Sequence, residues 1–230
     1  MSNPWFNPVL NFFVLSILIP FLTGIFRWKH IDPRFHVFII YLGLGSAMEV
    51  LNMVLYHTNH YTRTTHHLSF IIYTSLEAIL LVQWLLRLDF IDKIRIKKVL
   101  YCLVLAAMVT IIVDYLLLGY DTYRLHLMSF LFQGILIFFT IQLLVNIPRH
   151  ADLYPFRRSL NLILIPLLIS EVVYVFILLF SFITPLLPKL FGIVSYTRYV
   201  FITLNFIGYL SYTMAFLWAP NRIKFLSTSH

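Results

Sequence analysis

Charge is scarce in this sequence: Asp, Glu, Lys and Arg together make up only 11% of its residues, less than half the usual share of about 25% in soluble domains. A chain so poor in charge cannot cover a water-facing surface, and its 60% apolar content and mean hydropathy of +0.87 point instead to a membrane protein. Cysteine is nearly missing. The one thiol, Cys102, rules out an intrachain disulfide and any cysteine-based metal motif. No polar tract is long enough to form a separate soluble domain, so the 230 residues read as one unit. Runs of about ten residues with alternating polarity, the mark of a membrane barrel, are absent too.

What is present is a series of long apolar segments. Seven can be laid out by asking where about 20 residues pass with few charges: Pro8–Phe26, Phe35–Tyr56, Leu68–Leu88, Val99–Gly119, Leu127–Ile147, Leu160–Thr184 and Tyr199–Ala219. The expected fold is an all-α seven-helix transmembrane bundle. The first segment has no basic n-region, its first basic residue being Arg27, so it reads as a retained span and not a secretory signal. Pro20 and Pro166 are expected to kink their helices.

Orientation follows from the short connections. Thirteen of the 17 Lys and Arg residues fall on one side, the largest group being Arg87, Lys93, Arg95, Lys97 and Lys98. By the positive-inside rule that side is cytoplasmic, with the N-terminus outside and the C-terminus inside. The net charge of +8 then reflects topology and attraction to anionic headgroups in the lipid bilayer. The basic residues form no single face, which argues against nucleic acid as a partner. A cytoplasmic signalling partner could dock on the basic inner loops.

Ionisable residues inside spans are costly and mark candidate functional sites. Glu49 lies about eight residues, roughly 12 Å, below the outer end of the second segment, and Glu77 about nine residues, roughly 13 Å, below the start of the third. Ser46, Glu49, Asn52 and Tyr56 form a polar stripe on the second segment, with Gly43 and Gly45 below it to admit a neighbouring helix. Tyr73 stands one turn above Glu77. In the sixth segment Ser170, Glu171 and Tyr174 follow Pro166 and bring a third acid near the midplane. Ser129, Gln133 and Thr140 share a face of the fifth segment, and Asn205, Tyr209 and Tyr212 one of the seventh. Glu49, Asn52, Tyr73, Glu77, Glu171, Tyr174, Asn205 and Tyr209 are therefore the candidate ligand-binding set, for a cation, a proton or a small polar ligand. The alternative role for each glutamate is structural, a protonated carboxyl hydrogen-bonded to a tyrosine or asparagine. The seventh segment contains no lysine, which excludes a retinal Schiff base.

Between Glu49 and Glu77 the outer loop carries His57, His60, His66 and His67. Imidazoles can bind a transition metal or titrate near neutral pH, so a divalent metal and a pH response are both open, beside a merely solvated loop. No catalytic residue stands out. The connection after the sixth segment, from Pro185 to Arg198, is apolar enough to lie on the outer interface as a lid.

The run Pro20-Phe-Leu-Thr-Gly-Ile-Phe-Arg27, Glu49 with Asn52, Tyr73 with Glu77 four residues on, and the closing Asn205, Tyr209 and Trp218 resemble a group of small bacterial seven-helix membrane proteins. That group is similar to the membrane input modules of sensor histidine kinases. The resemblance implies a sensory or signalling role in the bacterial cytoplasmic membrane, and it supplies no catalytic residue. A small secondary transporter using the same acids for coupling is the alternative. A metal-dependent membrane hydrolase stands behind both, because the last-helix histidine of seven-helix zinc hydrolases has no counterpart here.

Overall fold

A computed structural model describes residues 8–58, 72–73, 76–77, 79–85, 87–88, 101, 105, 122–146, 154–183 and 191–220. The described residues form helices and no strand. These are α1 (Pro8–Leu15), α2 (Leu18–Phe26), α3 (His36–His57), α4 (Thr122–Asn146), α5 (Tyr154–Ile183) and α6 (Phe191–Trp218), with a 3-10 turn, Pro33–Phe35, leading into α3. The described residues between 72 and 87 are helical as well. Three helices are long and apolar enough to cross a membrane, over Pro33–Leu55, Pro155–Phe180 and Tyr199–Trp218, and Asn11–Phe26 and Gln133–Asn146 are shorter apolar helices. The chain is an all-helical membrane protein. Most of the expected fourth span, with Asp114, lies outside the described residues.

The first apolar segment is two helices. Pro20 has no amide hydrogen to donate to the Ser16 carbonyl and its ring crowds that oxygen. The Ser16 carbonyl instead accepts from the Ile19 amide at 3.0 Å, and the chain turns at Ser16 and Ile17. The second proline is handled differently. Pro166 sits inside α5 without ending it. The carbonyl it leaves without an amide is that of Leu162, four residues back, and the Ser211 hydroxyl of α6 donates to it at 2.8 Å. A neighbouring helix thus supplies the bond that lipid cannot.

The basic end of the bundle is pinned by three arginines. Asp32 caps the 3-10 turn by accepting from the Arg34 amide at 2.9 Å, with Pro33 in the first turn. The Arg34 guanidinium grips the same carboxylate with bonds of 3.0 and 2.9 Å and lies 4.0 Å over the Phe156 ring of α5. Arg27, at the end of α2, donates to the carbonyls of Phe216, Leu217 and Ala219, the open C-terminal end of α6. Arg158 covers the Trp218 ring at 3.8 Å.

Above this layer the interior is aromatic. Phe38 packs on Trp84 at 4.6 Å, on Tyr212 edge-on at 5.2 Å and on Phe216 at 6.3 Å, and Phe35 meets Phe156 at 5.4 Å. Phe35, Phe38, Trp84, Phe156 and Phe216 are fully buried, so the centre of this half is closely packed, while a second, more open cavity of about 340 Å³ lies beside Arg157, Arg158, Asn161 and Ser211. Phe26, Val54, Val145, Phe176 and Ile207 are exposed and form an apolar outer surface suited to lipid. Close approach of α3 to the α1–α2 bend depends on glycine: a Cβ at Gly43 would lie 2.6 Å from the Phe21 ring, and one at Gly45 2.7 Å from the Ile17 side chain.

Two expected boundaries are corrected. Helix α5 begins at Tyr154 instead of Leu160, with Pro155 accommodated in its first turn. Helix α6 begins at Phe191, so residues 191–198, read from sequence as part of an interfacial lid, are its first two turns. The run is uniformly apolar around Arg198, and apolarity alone does not tell an interfacial loop from a helix extended beyond its span.

Removing the Ser211 hydroxyl strands the Leu162 carbonyl, so Ser211→Ala should lower stability in detergent by about 1 kcal/mol. In a Pro166→Ala background, where residue 166 can donate to that carbonyl itself, the same substitution should cost almost nothing. Equal losses in both backgrounds would exclude the compensation. A second test concerns acid. Burial works to raise the Asp32 carboxyl, but the hydrogen bonds and charge of Arg34 outweigh it and hold the group below its ordinary 3.8. The stabilisation is therefore complete above that value and fades as the pH falls through the lower folded value. Asp32→Asn should cost up to about 1 kcal/mol at pH 7, and a titrated melting series should show the gap from wild type closing below about pH 3.

Candidate functional site

Beyond the aromatic layer, on the side away from the Arg27 and Arg34 end, the helices part around a cavity of about 280 Å³. On α3 the residues Tyr41, Gly45, Met48 and Asn52 recur at steps of four, three and four, the spacing of one helix face, and they line it together with Glu49 beside Met48. The third apolar segment contributes Tyr73 and Glu77, α4 contributes Gln133, α5 contributes Leu167, Ser170, Glu171 and Tyr174, and α6 contributes Phe201, Asn205, Tyr209 and Tyr212. The eight residues singled out from sequence as a ligand-binding set all face this one space. Acids from three separate helices share it, and among the described residues no Lys or Arg lines it.

The three glutamates are not equivalent. Glu77 is committed: its Oε1 accepts from the Tyr41 hydroxyl of α3 and from the Tyr73 hydroxyl one turn back on its own helix, both at 3.2 Å. These bonds fix the carboxyl and both rings, and they join the third apolar segment to α3. Glu49 and Glu171 accept no hydrogen bond from any described residue. Glu171 is buried, only 6% exposed. Asn52 Oδ1 and Gln133 Oε1 are likewise buried without a partner among the described residues. The cavity thus collects acceptors that no described residue answers, beside the hydroxyls of Ser170, Tyr174, Tyr209 and Tyr212 and the Asn205 amide, which line the same space.

Its floor is made by Tyr41, Leu167 and Tyr212, resting directly on Phe38, which lies 5.4 Å from Tyr41 and 5.2 Å from Tyr212. Its side wall includes Tyr174 against Phe201 at 5.6 Å and Tyr209 against Tyr212 at 6.2 Å.

Some expected members fall elsewhere. Ser46, read as part of the α3 stripe, is buried but bonds its own helix at the Leu42 carbonyl, 2.8 Å away, and lies off the cavity. Thr140 is buried below the level of Gln133 and does not line the space. His57 ends α3 exposed, while His60, His66 and His67 lie outside the described residues. Among the described residues no group of three or more His, Cys, Asp or Glu could hold a metal ion. Tyr41 and Phe201 were missed. Tyr41 was detectable, since it stands eight residues before Glu49 on the same face of α3, whereas Phe201 resembles any other aromatic in an apolar helix.

No protein-family model matches this chain, and no curated protein or solved structure matches it either.

The two kinds of acid should separate in unfolding measurements. Glu77→Leu leaves two phenols without an acceptor and should cost about 1–3 kcal/mol, whereas Glu171→Leu removes an unpaired polar group and should leave the melting temperature unchanged or raise it. Equal destabilisation by both would mean that Glu171 is as firmly bonded as Glu77.

Proposed function

We propose that the chain is a seven-helix sensory or ligand-binding module of the bacterial cytoplasmic membrane, N-terminus outside and C-terminus in the cytoplasm. Its outer-half cavity takes a cation, a proton or a small polar ligand, and the bundle passes that event to a partner at the basic inner loops. One observation carries this reading: acids from three helices meet in one cavity, and packed aromatic rings separate it from the basic end. An ionisable cluster in the membrane interior is expensive unless it serves a site. A site sealed on one side can register a ligand without conducting it.

The route to the basic end runs along α5 and α6. A ligand held by Glu171 pulls on α5 just beyond Pro166, where the Ser211 bond to Leu162 joins the two helices. Small shifts there reach Arg158 on Trp218 and Arg27 on the end of α6.

The same acids also admit a second reading, a small secondary transporter; Pro166, five residues from Glu171, leaves α5 continuous but with a carbonyl that its own helix does not satisfy, a point at which the helix can flex. Access tells them apart. In a Cys102→Ser background, Ser170→Cys places the only thiol on the cavity wall. A membrane-impermeant maleimide should label it in right-side-out vesicles and leave it unlabelled in inverted ones. Labelling from both faces selects the transporter, and labelling from the basic face alone overturns the orientation.

A further inference from the structure

The cavity's unsatisfied groups share one chemical character. Glu171 is buried and unbonded, Glu49 is unbonded, and the open atoms of Gln133 and Asn52 are both carbonyl oxygens. Gln133 is only 5% exposed, so its oxygen has no bulk water to turn to. Each of these is an acceptor. The ligand that completes them must bring hydrogen-bond donors.

Among the described residues that line the space no Lys or Arg balances the carboxyl groups, which favours a ligand that brings positive charge. A hard metal ion is a poor candidate: it needs several oxygens converging at about 2.0–2.6 Å, and the described residues hold no such group. The rest of the wall is aromatic. Tyr41, Tyr73, Tyr174, Phe201, Tyr209 and Tyr212 present six rings, which attract cations through their faces and pack against apolar groups through their bodies. The volume lies at the small end of ligand pockets, which run from about 300 Å³ upward.

We infer that the cavity binds a small primary or secondary ammonium compound with an apolar body, its N–H groups donating to Glu171, Glu49 and the Gln133 and Asn52 carbonyls and its body lying among the tyrosine and phenylalanine rings. The inference rests on the cavity being a ligand site and names the class of ligand. Glu77, held by its two phenols, positions Tyr41 and Tyr73 as wall and leaves the other two acids to meet the nitrogen.

The test uses the full chain in lipid nanodiscs and titrates phenethylamine by calorimetry beside three analogues: 2-phenylethanol, which is neutral; the N,N,N-trimethyl derivative, which has charge but no N–H; and phenylacetate. Phenethylamine should bind saturably, and the alcohol and the trimethyl compound should each be weaker by about tenfold or more. Phenylacetate should not bind. Glu171→Gln should weaken the amine by about tenfold, and Gln133→Leu by a few-fold, with both variants melting as the wild type does. If Glu171→Gln does not fold, Gln133→Leu carries the comparison. Equal affinity for amine and alcohol overturns the charge requirement, and equal affinity for amine and trimethyl compound overturns the donor requirement. Absence of amine binding by wild-type protein whose Ser170→Cys variant still labels from outside removes the ligand class and leaves the one-sided site standing. Loss of that labelling pattern as well removes the site.

Discussion

Hydrocarbon has no hydrogen bonds to offer, and this constraint orders the rest of the molecule. Every polar group within the bundle has to find its partner on the protein. Thr23, Ser46, Thr203 and Thr213 bond back to carbonyls one turn earlier on their own helices. The carbonyl freed by Pro166 is answered across a helix interface by Ser211. Glu77 is answered twice, by phenols from two helices. Three atoms in the apolar layer, Trp84 Nε1, Thr140 Oγ1 and Ser159 Oγ, have no described partner and no evident reason for it. Among the described residues the acceptors of Glu49, Asn52, Gln133 and Glu171 gather in one space, which makes that space chemically distinct from ordinary packing.

The two ends of the bundle use opposite means. At the basic end positive groups are consumed internally: Arg34 on Asp32, Arg27 on helix carbonyls, Arg158 on an indole. Aromatic rings fill what remains. In the other half tyrosines line a void and leave two of three acids open. The first half closes its core with rings, whereas the second keeps a space lined by polar side chains.

Much of this was legible in the sequence, for identifiable reasons. Glutamate in an apolar run is rare enough to stand out, and helical spacing placed Asn52 beside Glu49 and Tyr73 beside Glu77. The same spacing was followed one step wrongly to Ser46, because a small hydroxyl can bond its own helix and need not join a polar face. Pro20 and Pro166 looked alike in sequence yet differ in the fold. One ends a helix and the other does not, and the difference lies in Ser211, a residue 49 positions from the carbonyl it satisfies. No local pattern announces such a partner. The helical start of α6 at Phe191 was hidden for a related reason: apolar residues continue past the span, and only hydrogen bonding shows where the helix begins.

The Arg27 clamp ties the second helix to the carbonyls of the last across 189 residues of intervening chain. The guanidinium and those carbonyls are synthesised far apart, so this bond cannot form until α6 has been made, and it belongs to the slow, non-local part of folding rather than to the folding of any one helix.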